Sequence, residues 1–376
     1  MEKKYIRKGL YLTFHDVDPA AGVSRKILQQ VESFNNNGVD ISLLSYRSVN
    51  GIRTAFLDNQ EISRMYRGLK CVVREIQLYP IIVNYIQDNH IDFLFIRYTQ
   101  RLDYFYLRFL KKCKKANCVL LLEIPTYPYD GEFSSQSLLH KVQIYVERFF
   151  RRYLKNSIDW IVTTSEFDSI LGVNTIRISN AVDPRAIRLR TREEASKGVF
   201  TMISVANLSF WHGLDRLIKG IANYKMQLSQ PVRLIIVGGG NEGEINIIKS
   251  LVEEYRVQDY VKYLGPKHGK ELDELYDLAD MGVGCLACHR KNIVEVKSLK
   301  NVEYAMRGIP FFYSELNTDF DNKKYVLKVP ADDTDINVMD ILSFYHSLNI
   351  TPNEIRDSVS DLTWDRQIEK IIKVAL

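Results

Sequence analysis

The chain predicts an α/β fold of two doubly wound, Rossmann-like halves, and three features carry that expectation. Short apolar runs alternate with helical stretches, the order breaks near residues 179–198 and then resumes, and glycine-bearing loops follow several of the apolar runs. With 376 residues and 46% hydrophobic content there is room for two cores of ordinary size.

In the first half the strand-like runs are Leu10–Phe14, Val39–Leu44, Phe93–Ile96 and Val119–Glu123, with a helical stretch over 22–37 between the first two. That order is the pattern of a parallel sheet with crossover helices. Ser179-Asn-Ala-Val-Asp-Pro184 followed by the charged run Arg185–Lys197 reads as a linker. A second series opens at Val199–Val205 and continues with Arg233–Val237, Val261–Leu264 and 281–286. The expected domains are therefore residues 1–184 and 199–358, joined by a linker over 185–198 and separated by a cleft, with a terminal segment 359–376 after them.

Composition narrows the class. No run reaches the ~18 apolar residues of a membrane span, and the charged N-terminus is not followed by a long apolar segment. Five cysteines without an export signal read as reduced thiols, so a cytoplasmic location is expected. Charge is uneven. Residues 1–190 hold 28 Lys+Arg against 19 Asp+Glu, whereas 191–376 hold 23 against 27, so only the first half suits an anionic partner. A nucleic acid is not that partner, because no basic-plus-aromatic module motif is present. The stretch 138–155 sets apolar Leu138, Val142, Tyr145, Val146, Phe149 and Tyr153 on one stripe and Arg148, Arg151, Arg152 and Lys155 on another. It reads equally as a peripheral contact with an anionic membrane surface and as a solvated helix face.

The motif that carries chemistry is Glu295 and Glu303, with seven residues between them and Gly308-Ile-Pro310 behind them. Leu299, Val302 and Met306 share one helical stripe, which places Glu303 on a short helix and Glu295 in the loop before it, downstream of an apolar strand. A helix-borne carboxylate can accept both hydrogens of a ribose diol, a loop carboxylate can reach a sugar hydroxyl, and the N–H groups near Val296, Lys297 and Ser298 suit a diphosphate. Gly238-Gly239-Gly240-Asn-Glu-Gly243 follows a strand and matches G-x-G-x-x-G. It serves a pyrophosphate or merely a tight turn, and the absence of an acidic residue after Tyr263-Leu-Gly counts against NAD. Asn207–Gly213, with Trp211 and His212, follows the first strand of the second half. Cys285-Leu-Ala-Cys288-His289 has the spacing of a haem attachment, but it lies on an expected core strand and reads as core filling. Cysteines 71, 113 and 118 are too scattered to complete a zinc site.

With these residues in view, the chain resembles the family 4 retaining glycosyltransferases of the GT-B fold, in particular bacterial enzymes of surface-polysaccharide synthesis. The likeness runs through Gly22-Val-Ser-Arg-Lys26, Glu123-Ile-Pro, Thr164-Ser-Glu, Ser179–Asp183, Gly238–Gly240 and Glu295–Pro310, and ends at Leu362-Thr-Trp364, which resembles the terminal helix that crosses back to the first domain. It implies a transfer from a nucleoside diphosphate sugar, with a UDP-sugar expected, to a lipid-linked or glycan acceptor, without metal or resident cofactor. Glu295 and Lys297 would be catalytic. Asn207, His212, Gly239, Gly240, His289, Lys291, Ser298, Leu299 and Glu303 would bind the donor, and His15, Gly22, Arg97 and Glu123 would face the acceptor. Two departures stand out. Asn207 and His212 replace the Arg and Lys with which the family neutralises the leaving diphosphate, so His289, Arg290, Lys291 or Lys297 would have to supply the charge. Glu123 stands where a histidine is common. A non-catalytic GT-B subunit binding a partner glycosyltransferase or a glycan, and a nucleotide-sugar epimerase, are the alternative functions.

Overall fold

A computed structural model describes residues 6–17, 22–64, 69–99, 101–129, 138–191, 198–225 and 230–376. The chain divides into two compact units, one comprising residues 1–179 with 364–376 and the other residues 180–363.

The first unit runs β1 (Lys8–Asp16), α1 (Gly22–Asn36), β2 (Asp40–Val49), β3 (Ile52–Leu57), β4 (Gln60–Arg64), α2 (Leu69–Asp88), β5 (Phe93–Arg97), α3 (Tyr104–Lys115), β6 (Val119–Glu123), α4 (Leu138–Phe150), β7 (Trp160–Thr163), β8 (Ser169–Ile170) and β9 (Val173–Arg177). Its sheet has the order β4-β3-β2-β1-β5-β6-β7-β9-β8, parallel from β2 to β9. The antiparallel edge strands β3, β4 and β8 were not anticipated. The central strands are buried on both faces, hence their continuous apolar runs. Leu10, Leu12, Leu94, Ile96, Leu120 and Leu122 pack on one face, whereas on the other Tyr11 meets Phe95, and Phe93 and Phe95 both meet Phe34 of α1.

In the second unit every strand is parallel. It runs β10 (Phe200–Val205), α5 (Leu214–Tyr224), β11 (Val232–Val237), α6 (Glu242–Glu254), β12 (Val261–Tyr263), α7 (Gly269–Leu278), β13 (Met281–Val283), α8 (Leu299–Met306), β14 (Phe311–Tyr313), β15 (Val326–Lys328), α9 (Val338–Ser347) and α10 (Pro352–Asp357). The order β12-β11-β10-β13-β14-β15 reverses direction between β10 and β13. That reversal is the topological switch point, outside which open α/β sheets bind ligands.

Two expectations change. The strand expected over 281–286 stops at Val283, although Gly284 N–H still donates to Phe312 O of β14 over 2.8 Å; beyond it the chain turns toward the β10 loop, Leu286 N–H donating to His212 O. Residues 185–191, expected as a linker, are packed on the second unit. Arg188 pairs with Asp277, Thr191 N–H donates to Asp277 Oδ1 over 2.8 Å, and Arg356 donates to the carbonyls of Pro184 and Ile187. Residues 192–197 lie outside the described residues. Likewise Val182 N–H donates to Leu362 O, so 359–363 stays with the second unit. Only α11 (Trp364–Ala375) joins the first, where Gln367 Oε1 accepts from Ser179 N–H and Trp364 underlies Lys26. Among the described residues, no helix is long and apolar enough to cross a membrane.

Candidate functional site

Three segments converge outside the carboxyl ends of β10 and β13: the loop after β10, the segment 284–298 and the start of α8. Leu286 N–H donates to His212 O and Ala287 N–H to Trp211 O, which ties the first two together.

The β10 loop also grips the glycine turn. Leu208 N–H donates to Gly239 O over 2.6 Å, and Leu208 forms an isolated bridge with Gly240. Gly238 has φ +134°, and a Cβ on it would fall 1.7 Å from Ala206 O; Gly240 has φ +158° and would meet Leu208 O at 2.9 Å. Packing therefore demands both glycines. Gly239 differs, since a Cβ there would have 3.7 Å to Asn207 Oδ1. The helix behind this turn does not favour an anion: Asn241 caps α6 by accepting from Glu244 N–H, and Glu242 and Glu244 put negative charge in its first turn. The diphosphate reading of Gly238–Gly243 thus loses its helix terminus.

The start of α8 is different. Ser298 is its N-cap without a side-chain cap bond, and no acidic residue occupies the first turn. The amides of Leu299 and Lys300 have no intrahelical acceptor by helix geometry. Val296 N–H, expected to point at a diphosphate, instead donates to Leu316 O over 2.9 Å. Glu295 forms an isolated parallel bridge with Leu316. One turn into α8, half-buried Glu303 accepts from Tyr276 OH over 3.4 Å. Burial, with Glu303 second, raises the Tyr276 hydroxyl far above its ordinary value, so it stays a donor.

The cations expected to neutralise the donor are engaged with the protein. His289 Nε2 and Arg290 Nε lie 3.2 and 2.7 Å from Asp333 Oδ1, and Arg290 also reaches Asp215 at 2.8 Å. Lys291 Nζ stands 3.9 Å over the Trp211 ring. Lys297 is buried and pairs with Asp319 at 3.4 Å. His212 is buried, its Nδ1 accepting from Ser209 N–H over 3.1 Å. Burial lowers its pKa and the charge of Lys300 lowers it further, so it is a neutral imidazole near pH 7. Cys285 and Cys288 are buried free thiols. Among the described residues no group of three His, Cys, Asp or Glu is placed to hold a metal ion.

Sequence reasoning missed a buried polar cluster beside His212. Lys300 is 8% exposed, Asn301 0% and Glu315 2%. The Lys300 Nζ, both amide atoms of Asn301 and both carboxylate oxygens of Glu315 have no hydrogen-bond partner. The available signal was a lysine three residues before Glu303, hence on the same buried side of α8.

In the first unit, His15 is at the end of β1 and Gly22 opens α1. Arg97 and Glu123 end β5 and β6 and bond each other at 2.6 Å, with Lys26 at 3.1 Å and Gln30 at 3.0 Å on the other Glu123 oxygen. Burial alone would raise Glu123; Arg97 and Lys26 overcome it and hold the carboxyl at about 2. Two of the four expected acceptor-side residues therefore belong to a buried ion network.

Residues 187–318, spanning β10 to α8 and the cluster above, match the family model described as Glycosyl transferases group 1. The second unit carries a group 1 glycosyltransferase domain. No curated protein matches the chain in sequence. Solved structures with the same fold include a sucrose-phosphate synthase from Thermosynechococcus elongatus (TM-score 0.71, 15% identity, 98% of each chain covered). Another is Anabaena HepE, solved with UDP and glucose (TM-score 0.63, 13% identity, 98% of this chain and 99% of that one). A third is WaaG, a glycosyltransferase of lipopolysaccharide biosynthesis (TM-score 0.62, 11% identity, 98% and 99%). The two-unit α/β architecture is thus that of GT-B glycosyltransferase structures. Within the group 1 domain lie Asn207, His212, Gly239, Gly240, Glu295 and Glu303.

Proposed function

We propose that the protein is a retaining, metal-independent glycosyltransferase that moves a sugar from a nucleoside diphosphate donor, with UDP-sugar the first candidate, to a lipid-linked or glycan acceptor. The observation that carries this reading is the placing of Glu303 and an acid-free helix start together at the switch point of a group 1 domain. Glu303 accepts the ribose diol, Glu295 orients the donor sugar, and the first-turn amides of α8 bind the diphosphate. In the reaction the anomeric bond to the diphosphate oxygen breaks and the bond to the acceptor oxygen forms. The acceptor's proton leaves with the nucleoside diphosphate. Catalysis lies in stabilising that departing charge in a site from which water is excluded. We place the enzyme peripherally at the inner face of the cell membrane, on the strength of α4. There Val142, Tyr145 and Phe149 are 61, 71 and 49% exposed, with exposed Arg148 on the helix and exposed Arg152 in the turn after it.

The test is a thermal-shift panel with UDP, GDP, ADP, CMP and NAD, since a ligand bound only by the folded state raises its stability. A selective shift with one nucleoside diphosphate is expected. No shift with any of them would favour the non-catalytic subunit, a reading that the internally paired cations support.

A further inference from the structure

Every cation that the motif suggested for the departing diphosphate is matched within the protein, yet one amine at the site is not. Lys300 is more than nine-tenths buried and its Nζ has no hydrogen-bond partner. It sits in the first turn of α8, where the helix dipole already favours an anion. Its charge acts on His212 after β10, on Cys285 and Cys288 after β13, and on Glu315 after β14, so the amine lies at the switch point rather than on an outer surface.

We propose that Lys300 binds the donor's diphosphate and stabilises it as it leaves, in the role that the absent Arg/Lys pair of the β10 loop would otherwise hold. This rests on the glycosyltransferase reading above. An unpaired buried ammonium is expensive to keep, and an anion arriving between it and the α8 amides removes that cost. His212, at the loop position of the absent lysine, is neutral and adds no competing charge. Among the described residues two buried groups could compete, Cys285, whose pKa a hydrogen bond from Cys288 and the charge of Lys300 pull down, and Glu315, yet neither hydrogen-bonds the Lys300 Nζ. The Glu315 carboxyl is pushed well above the usual range, by burial first and by Cys285 second, so it is held in the uncharged form. With neither the acid nor the thiol bonded to it, the Lys300 Nζ keeps its hydrogen bonds for the ligand.

The experiment compares the unmodified protein, K300M and the double variant K300M/E315L by calorimetric titration. The probes are UDP, GDP, ADP and CDP, each alongside its nucleoside. The double variant removes both buried polar groups and so remains folded if Lys300 and Glu315 merely served each other. For whichever nucleotide binds, its diphosphate affinity is expected to fall by roughly 10- to 100-fold in both variants while the nucleoside affinity holds. Unchanged diphosphate affinity in folded K300M/E315L overturns the assignment. Failure of the unmodified protein to bind any nucleoside diphosphate overturns the glycosyltransferase reading instead, and the role of Lys300 with it.

Discussion

Arg97 and Glu123 are bonded to each other, Nη1 to Oε2 at 2.6 Å, at the carboxyl ends of adjacent parallel strands. Glu123 also takes Lys26 and Gln30, and Gln30 in turn accepts from Tyr11 OH over 2.7 Å. The network fixes β1, β5, β6 and α1 at one point. Its polar residues serve the fold first.

Removing Glu123 should therefore destabilise rather than simply inactivate. E123A leaves two buried cations without a counter-charge, and a loss of about 3–5 kcal/mol is expected in urea unfolding at pH 7. A loss below about 1 kcal/mol would contradict the network.

The same carboxyl predicts an acid limb. Its folded pKa is about 2, below the ordinary 4.5. A depressed carboxyl stabilises above the unfolded value and loses that contribution as pH falls through the folded one. The stability difference between the unmodified protein and E123Q should hold above pH 4.5 and shrink toward pH 2. A difference independent of pH across that window would count against the ion pairs.

Glu303 carries the ribose assignment. E303A should weaken binding of the cognate nucleotide by roughly 10- to 100-fold, the cost of two hydrogen bonds to a carboxylate, and shift the melting temperature little. Unchanged nucleotide affinity by calorimetry would remove Glu303 from the site.

The three glycines of 238–240 should separate. G238A forces a Cβ into the Ala206 carbonyl and should cost about 2–3 kcal/mol in stability. G239A has room and should fold normally, yet lower nucleotide affinity if the donor approaches this backbone closely. Equal stability losses in the two variants would refute the geometry.

Reversing Arg148 on α4 and Arg152 in the turn after it to glutamate should reduce sedimentation with anionic vesicles, each cation contributing about 1 kcal/mol near such a surface. Equal binding of the unmodified protein to neutral and anionic vesicles would remove the membrane proposal.

Much of the fold was legible because it is written in local pattern. Buried parallel strands such as Val119–Glu123 are continuous apolar runs, and α8 shows its stripe through Leu299, Val302 and Met306. The hairpin joining β2 to β3 is also written locally, in Asn50-Gly51 with φ of 52° and 75°. Strands of three residues, β14 and β15, carry too little pattern to be seen alone.

The sequence by itself determined the order of elements, the Glu295 and Glu303 pair and the missing loop cations. Only the tertiary structure decided which charges are spent on the fold. Whether Arg290 meets Asp215, 75 residues away, or Lys297 meets Asp319, depends on how distant loops close over the sheet. Pattern along the chain reports which face is buried, but charge pairing is a short-range interaction between segments remote in sequence. For the same reason Lys300, an ordinary lysine in the chain, becomes a buried unpartnered cation only once β10, β13 and β14 bring their ends together around it.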